Sequence, residues 1–527
     1  MLPSTLGRLL LPFRPVLFWL LAAYAGYLGA CSVLKPTFGG RLLGVGLLLW
    51  MVSRILVNPI ASIYLMLWIF PWARFARYAL WASFSNVPFF FVSQIWMETL
   101  LGLAFASILI TAAVRRKRLH LLPADLPFLL LLIAGGYGML IAVVQQSFSA
   151  SGLGFCYSLA PVLCYFALRW MDPSPQQLRG ICRTFLIAFF LLALLSLADY
   201  FFHPAFMLRL YSMNRPGYFR GTVDELRVHL SERYLRMQSL LMEENVWGEL
   251  CACVALAMIA AIASGIGSKR TRSALYIVFG SAFLGLALSM SRGAIAGFIL
   301  GAFVLAVFHP QNQRVLRILC VVGLLLGTTY LVLRTDPRIR QVEGRFLEPT
   351  KWSNGVDDER TRQWQRGLRS IAETPSGLGV GGAGYGQQSV SLRQAFASDS
   401  IYLRVLAEQG VPGTLLWLGG TAGIFVVLLR RLRSLNALVL SDFRQAEQGE
   451  KQQLEVLGAA LLASHASLCL HGLSGNTFDY YAVPPLFFLF CGLFMARSDH
   501  LLAVVPAPSA ASQGESQARL AAVPRQP

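Results

Sequence analysis

The sequence predicts an all-α fold, a polytopic bundle of transmembrane helices, and three observations predict it. Of the 527 residues, 56% are hydrophobic and only 13% are charged, against roughly 25% charged in a soluble protein. Apolar runs of about 16–20 residues recur along the whole chain, the length that crosses a bilayer. The basic residues gather in short blocks between those runs, where they set orientation. A transmembrane barrel would need short segments of alternating hydrophobicity, which this chain does not show. The net charge of +19 therefore reads as topology. No basic face interleaved with stacking aromatics supports nucleic acid as a partner.

Taken in order, the candidate spans are approximately 15–34, 42–57, 59–72, 97–114, 126–145, 152–170, 184–201, 246–264, 273–290, 293–308, 315–333, 412–429, 454–473 and 480–497. The total is about 12–14 by length and hydropathy. The first run follows Arg8 and Arg14 and is too long for a signal-peptide core, so it is expected to stay as a helix. The second and third flank Arg54 and read as one bent helix or a re-entrant pair. Residues 73–94 mix aromatics with arginines, as interfacial segments do. The nine cysteines lie in or beside apolar runs and read as small buried hydrophobes, not as a disulfide framework.

Three basic blocks orient the bundle: "RRKR" at 115–118, "KRTR" at 269–272 and "RRLR" at 430–433. An even number of spans separates each block from the next, so all three share one side, the cytoplasmic one by the positive-inside rule. The expected organisation is transmembrane helices over 1–201, an outward (periplasmic) loop over 202–245 and central transmembrane helices over 246–333. A large outward loop over 334–411 follows, then C-terminal transmembrane helices over 412–497 and a disordered cytoplasmic tail over 498–527. The 334–411 segment is too long for a simple connection and is expected to be functional. The turn at Ser291-Arg292 faces the same outward side.

Within that outward loop, "SGLGVGGAGYG" (376–386) satisfies G-x-G-x-x-G twice. As a dinucleotide fingerprint it fails. No βαβ unit surrounds it, a helix ending at Pro375 precedes it, and nucleotides are scarce on that side. It is expected instead as a flexible backbone that admits a ligand closely at Gly379 and Gly381, or as a hinge.

Arginines are the other outward signal: Arg236 ahead of Asn245, Arg292 at a helix end, and Arg360 with Arg362, Arg366 and Arg369. The guanidinium fork matches phosphate oxygens, and snorkelling or loop solvation is the plainer alternative. Residues 358–373 predict an amphipathic helix with Trp364, Leu368 and Ile371 on one face. The acids at 357–359 complement its dipole better than they make a metal site. The seven histidines are scattered, and neither H-E-x-x-H nor G-x-S-x-G occurs, so no metal and no cofactor is expected. Asp399 reads either as a general base toward a hydroxyl or as part of a helix cap. Tyr402 lies beside it, and Glu408 reads as structural.

These pieces, in this order, resemble the O-antigen ligase / Wzy-type polysaccharide polymerase superfamily of bacterial membrane glycosyltransferases. Arg236 through Asn245 is similar to the family's arginine followed by an asparagine that opens a span. Ser291-Arg292-Gly293 is similar to its helix start. Arg360-x-x-x-Trp364 with Pro375 and the glycines is similar to its large outer loop. Asp399-Ser-Ile-Tyr402-Leu403 with Glu408-Gln-Gly410 is similar to the element that closes that loop. The likeness covers roughly residues 230–425. Ligases of the family that act on lipid A core typically carry histidine where this chain has Asp399, so the resemblance leans toward a polymerase.

The resemblance implies a multi-pass protein of the bacterial inner membrane with its active face in the periplasm. It implies that lipid-linked repeat units on undecaprenyl diphosphate are joined into a surface polysaccharide, an O-antigen or an exopolysaccharide. Arg292 and Asp399 would be catalytic. Arg236, Asn245, Arg360, Gly379, Gly381 and Tyr402 would bind substrate. Implied partners are the lipid-linked glycan and membrane lipid, with a chain-length regulator and a flippase as further candidates. A ligase moving the glycan to lipid A core or protein is the alternative within the class. A flippase or transporter is the alternative outside it, but the candidate charges cluster at the outer face instead of mid-span, where Glu249 and Arg54 come nearest to exceptions.

Overall fold

Helix after helix makes up the described chain, and no strand element occurs among the described residues. The computed structural model describes residues 52–71, 96–114, 116, 119–145, 158–202, 237, 239, 241, 244–333, 356–383, 400–438, 445–475 and 483–504. The expected first span and the interfacial segment 73–94 lie outside them. So do most of the loop 202–245, residues 334–355 and the end of the tail.

In chain order the helices are α1 (Ile60–Pro71), α2 (Trp96–Val114), α3 (Leu126–Gln145), α4 (Ala160–Met171), α5 (Pro175–Phe202), α6 (Glu244–Ser264) and α7 (Lys269–Ser289). They continue as α8 (Arg292–Phe308), α9 (Asn312–Leu333), α10 (Val356–Glu373), α11 (Ile401–Ala437), α12 (Gln445–His471) and α13 (Val483–Val504). Eight of them, α2, α3, α5, α6, α7, α11, α12 and α13, are long and apolar enough to cross a membrane. The protein is a multi-pass membrane protein and a polytopic helical bundle.

Several elements differ from the expected bounds for local reasons. Residues 52–57 and α1 are helical on either side of a break at Asn58-Pro59, where proline removes a donor and crowds the preceding turn. The helix expected to begin near 412 begins at Ile401 and bends at Gly410 (φ 61°, ψ −169°). Proline at 412 and an apolar run that starts late hid residues 401–411. The last helix continues through Asp499 to Val504.

α6 is the hub. Trp247, Leu250, Cys251, Ala252, Val254, Ala255 and Leu256 are all buried, and the helix packs against α7, α8 and α12. α8 lies close on α12 because glycines face it. A Cβ at Gly297 would stand 2.7 Å from the Ser467 carbonyl oxygen, and one at Gly301 would stand 2.8 Å from that of Ala463. Small residues let membrane helices approach in this way.

One end of the bundle is polar and stapled. Buried Asp125 accepts from the Leu122 N–H (2.8 Å), from Arg169 Nε (3.1 Å) and from the Tyr165 hydroxyl. Arg169 and Arg431 both pair with Asp499, and Arg497 pairs with Glu450 at 2.6 Å. Arg433 lies over the Phe308 ring at 5.9 Å. The 430–433 block is therefore at this end, and so is the 269–272 block. The latter follows Ser264, whose Oγ lies 3.1 Å from His309 Nε2.

Candidate functional site

The opposite end gathers three of the predicted residues, Asn245, Arg292 and Tyr402, and the gathering starts at one tight turn. α7 ends on Met290 in a left-handed conformation (φ 48°). Ser291 then caps α8, its Oγ accepting from the Ala294 N–H at 3.4 Å. The same hydroxyl donates to Asn245 Oδ1 at 2.9 Å. Asn245, in the first turn of α6, is thus joined to the Ser-Arg-Gly turn. The Met237 N–H donates to the Leu288 carbonyl at 2.8 Å, which returns the chain ahead of α6 to the same place. Arg292 is the first residue of α8 and is exposed. Helix N-termini favour anions, so its charge adds to a field already positive.

A second seam joins α11 to α12. The Ile401 N–H donates to the Gly472 carbonyl at 3.1 Å, and Ser400 Oγ donates to the same carbonyl at 3.3 Å. The Tyr402 hydroxyl donates to the Cys469 carbonyl at 2.8 Å. That turn of the chain also rests on Gly293. A Cβ there would come within 2.4 Å of His471 Cδ2 and 2.5 Å of Ser474 Oγ. Glycine at 293 is what allows the end of α12 to settle on the Ser-Arg-Gly turn. His471 itself is buried, and its Nδ1 faces Glu249 Oε2 at 3.7 Å. Asn245 and Glu249 are four apart, so they share a face of α6.

The described part of the glycine loop is bonded into the fold. Gly377, Gly379 and Gly381 have φ of 97°, 86° and 87°, values that only glycine adopts easily. The Leu378 and Gly379 N–H groups donate to the carbonyls of Ala407 and Glu408, at 2.8 and 2.9 Å. The Val380 N–H reaches the Gly138 carbonyl of α3 at 3.0 Å. The buried Glu408 carboxylate accepts from the Gly381 and Ala383 N–H groups at 3.0 and 3.2 Å, and from Arg404 Nε at 3.2 Å. The loop is moulded around the bend of α11, and the N–H groups of Gly379 and Gly381 are spent within the fold. Arg404 and Glu408 also line an internal cavity with Gln409, Thr421 and His465.

Of the predicted site residues, Asn245, Arg292 and Tyr402 come to this end together, and Gly379 and Gly381 lie on α11 below it. Arg236 and Asp399 lie outside the described residues, next in sequence to Met237 and Ser400. Arg360 is on α10, and its side chain is outside the description.

Residues 275–418 match the family model described as O-Antigen ligase. That match supports membership of the O-antigen ligase superfamily. The matched stretch holds the Ser-Arg-Gly turn, α10, the glycine loop and the bend of α11. Members of the superfamily are membrane glycosyltransferase-like enzymes that act on lipid-linked glycans. No curated protein matches the chain. Glu249 and His471, which face each other beneath the Ser-Arg-Gly turn, lie outside the matched stretch. Sequence reasoning passed over His471 because it ends an unremarkable apolar run, and it noted Glu249 only as a charge in a span. The available signal was the pairing of Asn245 with Glu249 on one helical face.

Proposed function

We propose that this protein polymerises glycan repeat units carried on undecaprenyl diphosphate, at the periplasmic face of the inner membrane. The observation that carries the reading is the meeting of three segments at one end of the bundle: Asn245 on Ser291, the Arg292 helix start, and Ser400-Ile401 anchored on Gly472. In the reaction, a hydroxyl of one lipid-linked glycan attacks the anomeric carbon of another. The bond from that carbon to the diphosphate breaks, and the electron pair leaves with the diphosphate. Negative charge grows on the leaving group while positive charge grows at the sugar ring. Arg292, at a helix N-terminus, stabilises the diphosphate, with Arg236 and Arg360 as further candidate contacts. Asp399 receives or positions the acceptor hydroxyl. Tyr402, held on the Cys469 carbonyl, orients the start of α11 beneath that acceptor. Gly379 and Gly381 contribute shape, since their N–H groups are already bonded within the fold.

Purified protein in liposomes, given a lipid-linked repeat unit, is expected to make a ladder of longer glycans. Arg292→Ala is expected to lose the ladder, a fall of at least about a hundredfold for a lost oxyanion-type contact, at unchanged protein level. Normal chain length from Arg292→Ala would overturn the assignment. The family description favours one second reading, a ligase that hands finished glycan to another acceptor. A deletion strain separates the two: one repeat per carrier lipid means polymerase, and long unattached chains mean ligase.

A further inference from the structure

The buried pair His471–Glu249 takes no part in the scheme above, yet it sits under the turn that carries Arg292. Four observations bear on it. His471 is 2% exposed and Glu249 is 1% exposed. They face each other at 3.7 Å through His471 Nδ1. The other edge of the ring, Cδ2 and Nε2, lies against Gly293 and Gly475, where added Cβ atoms would approach the ring to 2.4 Å and 3.0 Å respectively. The carbonyl of Gly472, next after His471, holds Ser400 and Ile401. The imidazole therefore stands between a carboxylate and the Arg292-Gly293 turn, within one residue of the anchor for the segment that follows Asp399.

We infer that His471, oriented by Glu249, accepts the proton of the attacking hydroxyl. The inference rests on the glycosyl-transfer reading and adds the group that completes it. The hydroxyl oxygen forms its bond to the anomeric carbon, the bond from that carbon to the diphosphate breaks, and the hydroxyl proton passes to His471 Nε2. A carboxylate facing Nδ1 keeps a proton there, which leaves Nε2 with its lone pair, and then stabilises the imidazolium. This is the logic of a base with an orienting acid. At 3.7 Å the pair is longer than a hydrogen bond, a looseness usual before substrate closes such a site. A histidine and a glutamate buried at a membrane-helix end are costly placements, and such placements mark function. Asp399 then positions the acceptor and need not take its proton.

Two other buried histidines among the described residues do not suit the role. His465 lies further down α12 at the internal cavity, and His309 bonds Ser264 at the opposite end. The charged group facing His471 from a packed element is Glu249 on α6; Arg292, next to Gly293 on α8, is exposed, and the Tyr402 hydroxyl on α11 is bonded to the Cys469 carbonyl. The first turns of α13, Val483–Phe490, bring none.

The test uses full-length protein in liposomes with a lipid-linked repeat unit, with rates followed from pH 5 to 9. Donor binding is measured separately with radiolabelled lipid-linked repeat. His471→Gln is expected to lower the rate at least about a hundredfold, in the range for a lost general base. Donor affinity is expected to stay within about threefold, and the acidic limb of the pH profile to disappear. Glu249→Gln is expected to move that limb to lower pH, because a lost negative charge makes the imidazolium harder to form. His471→Gly is expected to regain part of its rate with added imidazole, which covers the case in which Gln disturbs the packing. A His471→Gln rate within about tenfold of wild type, or a loss of donor binding as large as the loss of rate, overturns the inference. Wild-type protein that makes no ladder overturns the transfer reading itself, a result the variants cannot imitate.

Discussion

Glu408 shows how one buried side chain can shape a loop that the sequence alone leaves as either a ligand-admitting backbone or a hinge. Its carboxylate accepts from two backbone N–H groups of the glycine loop and from Arg404. Removing it takes the acceptor away from two buried N–H groups and the carboxylate away from the buried Arg404 guanidinium. Glu408→Ala is therefore expected to destabilise the protein by about 3–5 kcal/mol, read as a fall in thermal unfolding temperature in detergent. A change under about 1 kcal/mol would mean that the loop is held by its backbone bonds to α3 and α11 instead. The residues legible in the sequence were those whose chemistry matched their place at a span boundary, Asn245 and Arg292. His471 was not legible, because its meaning comes from Glu249 on another helix and from a glycine on a third.

At the scale of elements, α10 is the instructive case. Its span, Val356–Glu373, agrees closely with the expected 358–373. The expected single apolar face divides in two. Ile371 packs on Ala383, Leu403 and Ala407, while Trp364 and Leu368 are 42% and 55% exposed. Ile371 in the last turn meets α11 and the glycine loop, while the middle of the helix carries two apolar side chains that the described chain leaves exposed. Ile371→Ala is expected to cost about 2 kcal/mol of stability in detergent. Trp364→Ala is expected to change it by less than about 0.5 kcal/mol. Equal losses at the two positions would place Trp364 in the same packed face as Ile371. Periodicity finds a helix from side-chain spacing alone, and it cannot say how much of a face meets a neighbour.

Across the whole molecule, charge divides the bundle. Arg431, Arg433 and the 269–272 block lie at the end stapled by Asp125, Asp499 and Glu450, and the candidate site lies at the other. The positive-inside rule supports the proposed reading, in which the stapled end is cytoplasmic. A membrane-impermeant maleimide is expected to label Arg362→Cys in intact cells whose outer membrane admits it. Arg270→Cys is expected to react only after the inner membrane is permeabilised. Labelling of Arg270→Cys in intact cells would invert the bundle and remove the candidate site from the periplasm. The order of apolar runs and basic blocks by itself determined that the chain is a multi-pass helical protein and which segments share an end, because both follow from local hydropathy and from counting spans. Only the tertiary structure decided that the glycine loop is clamped by Glu408, that α11 begins at Ile401 and bends at Gly410, and that His471 and Glu249 meet under the Arg292 turn. Those contacts join residues far apart in the chain, and no local pattern encodes a distance between helices.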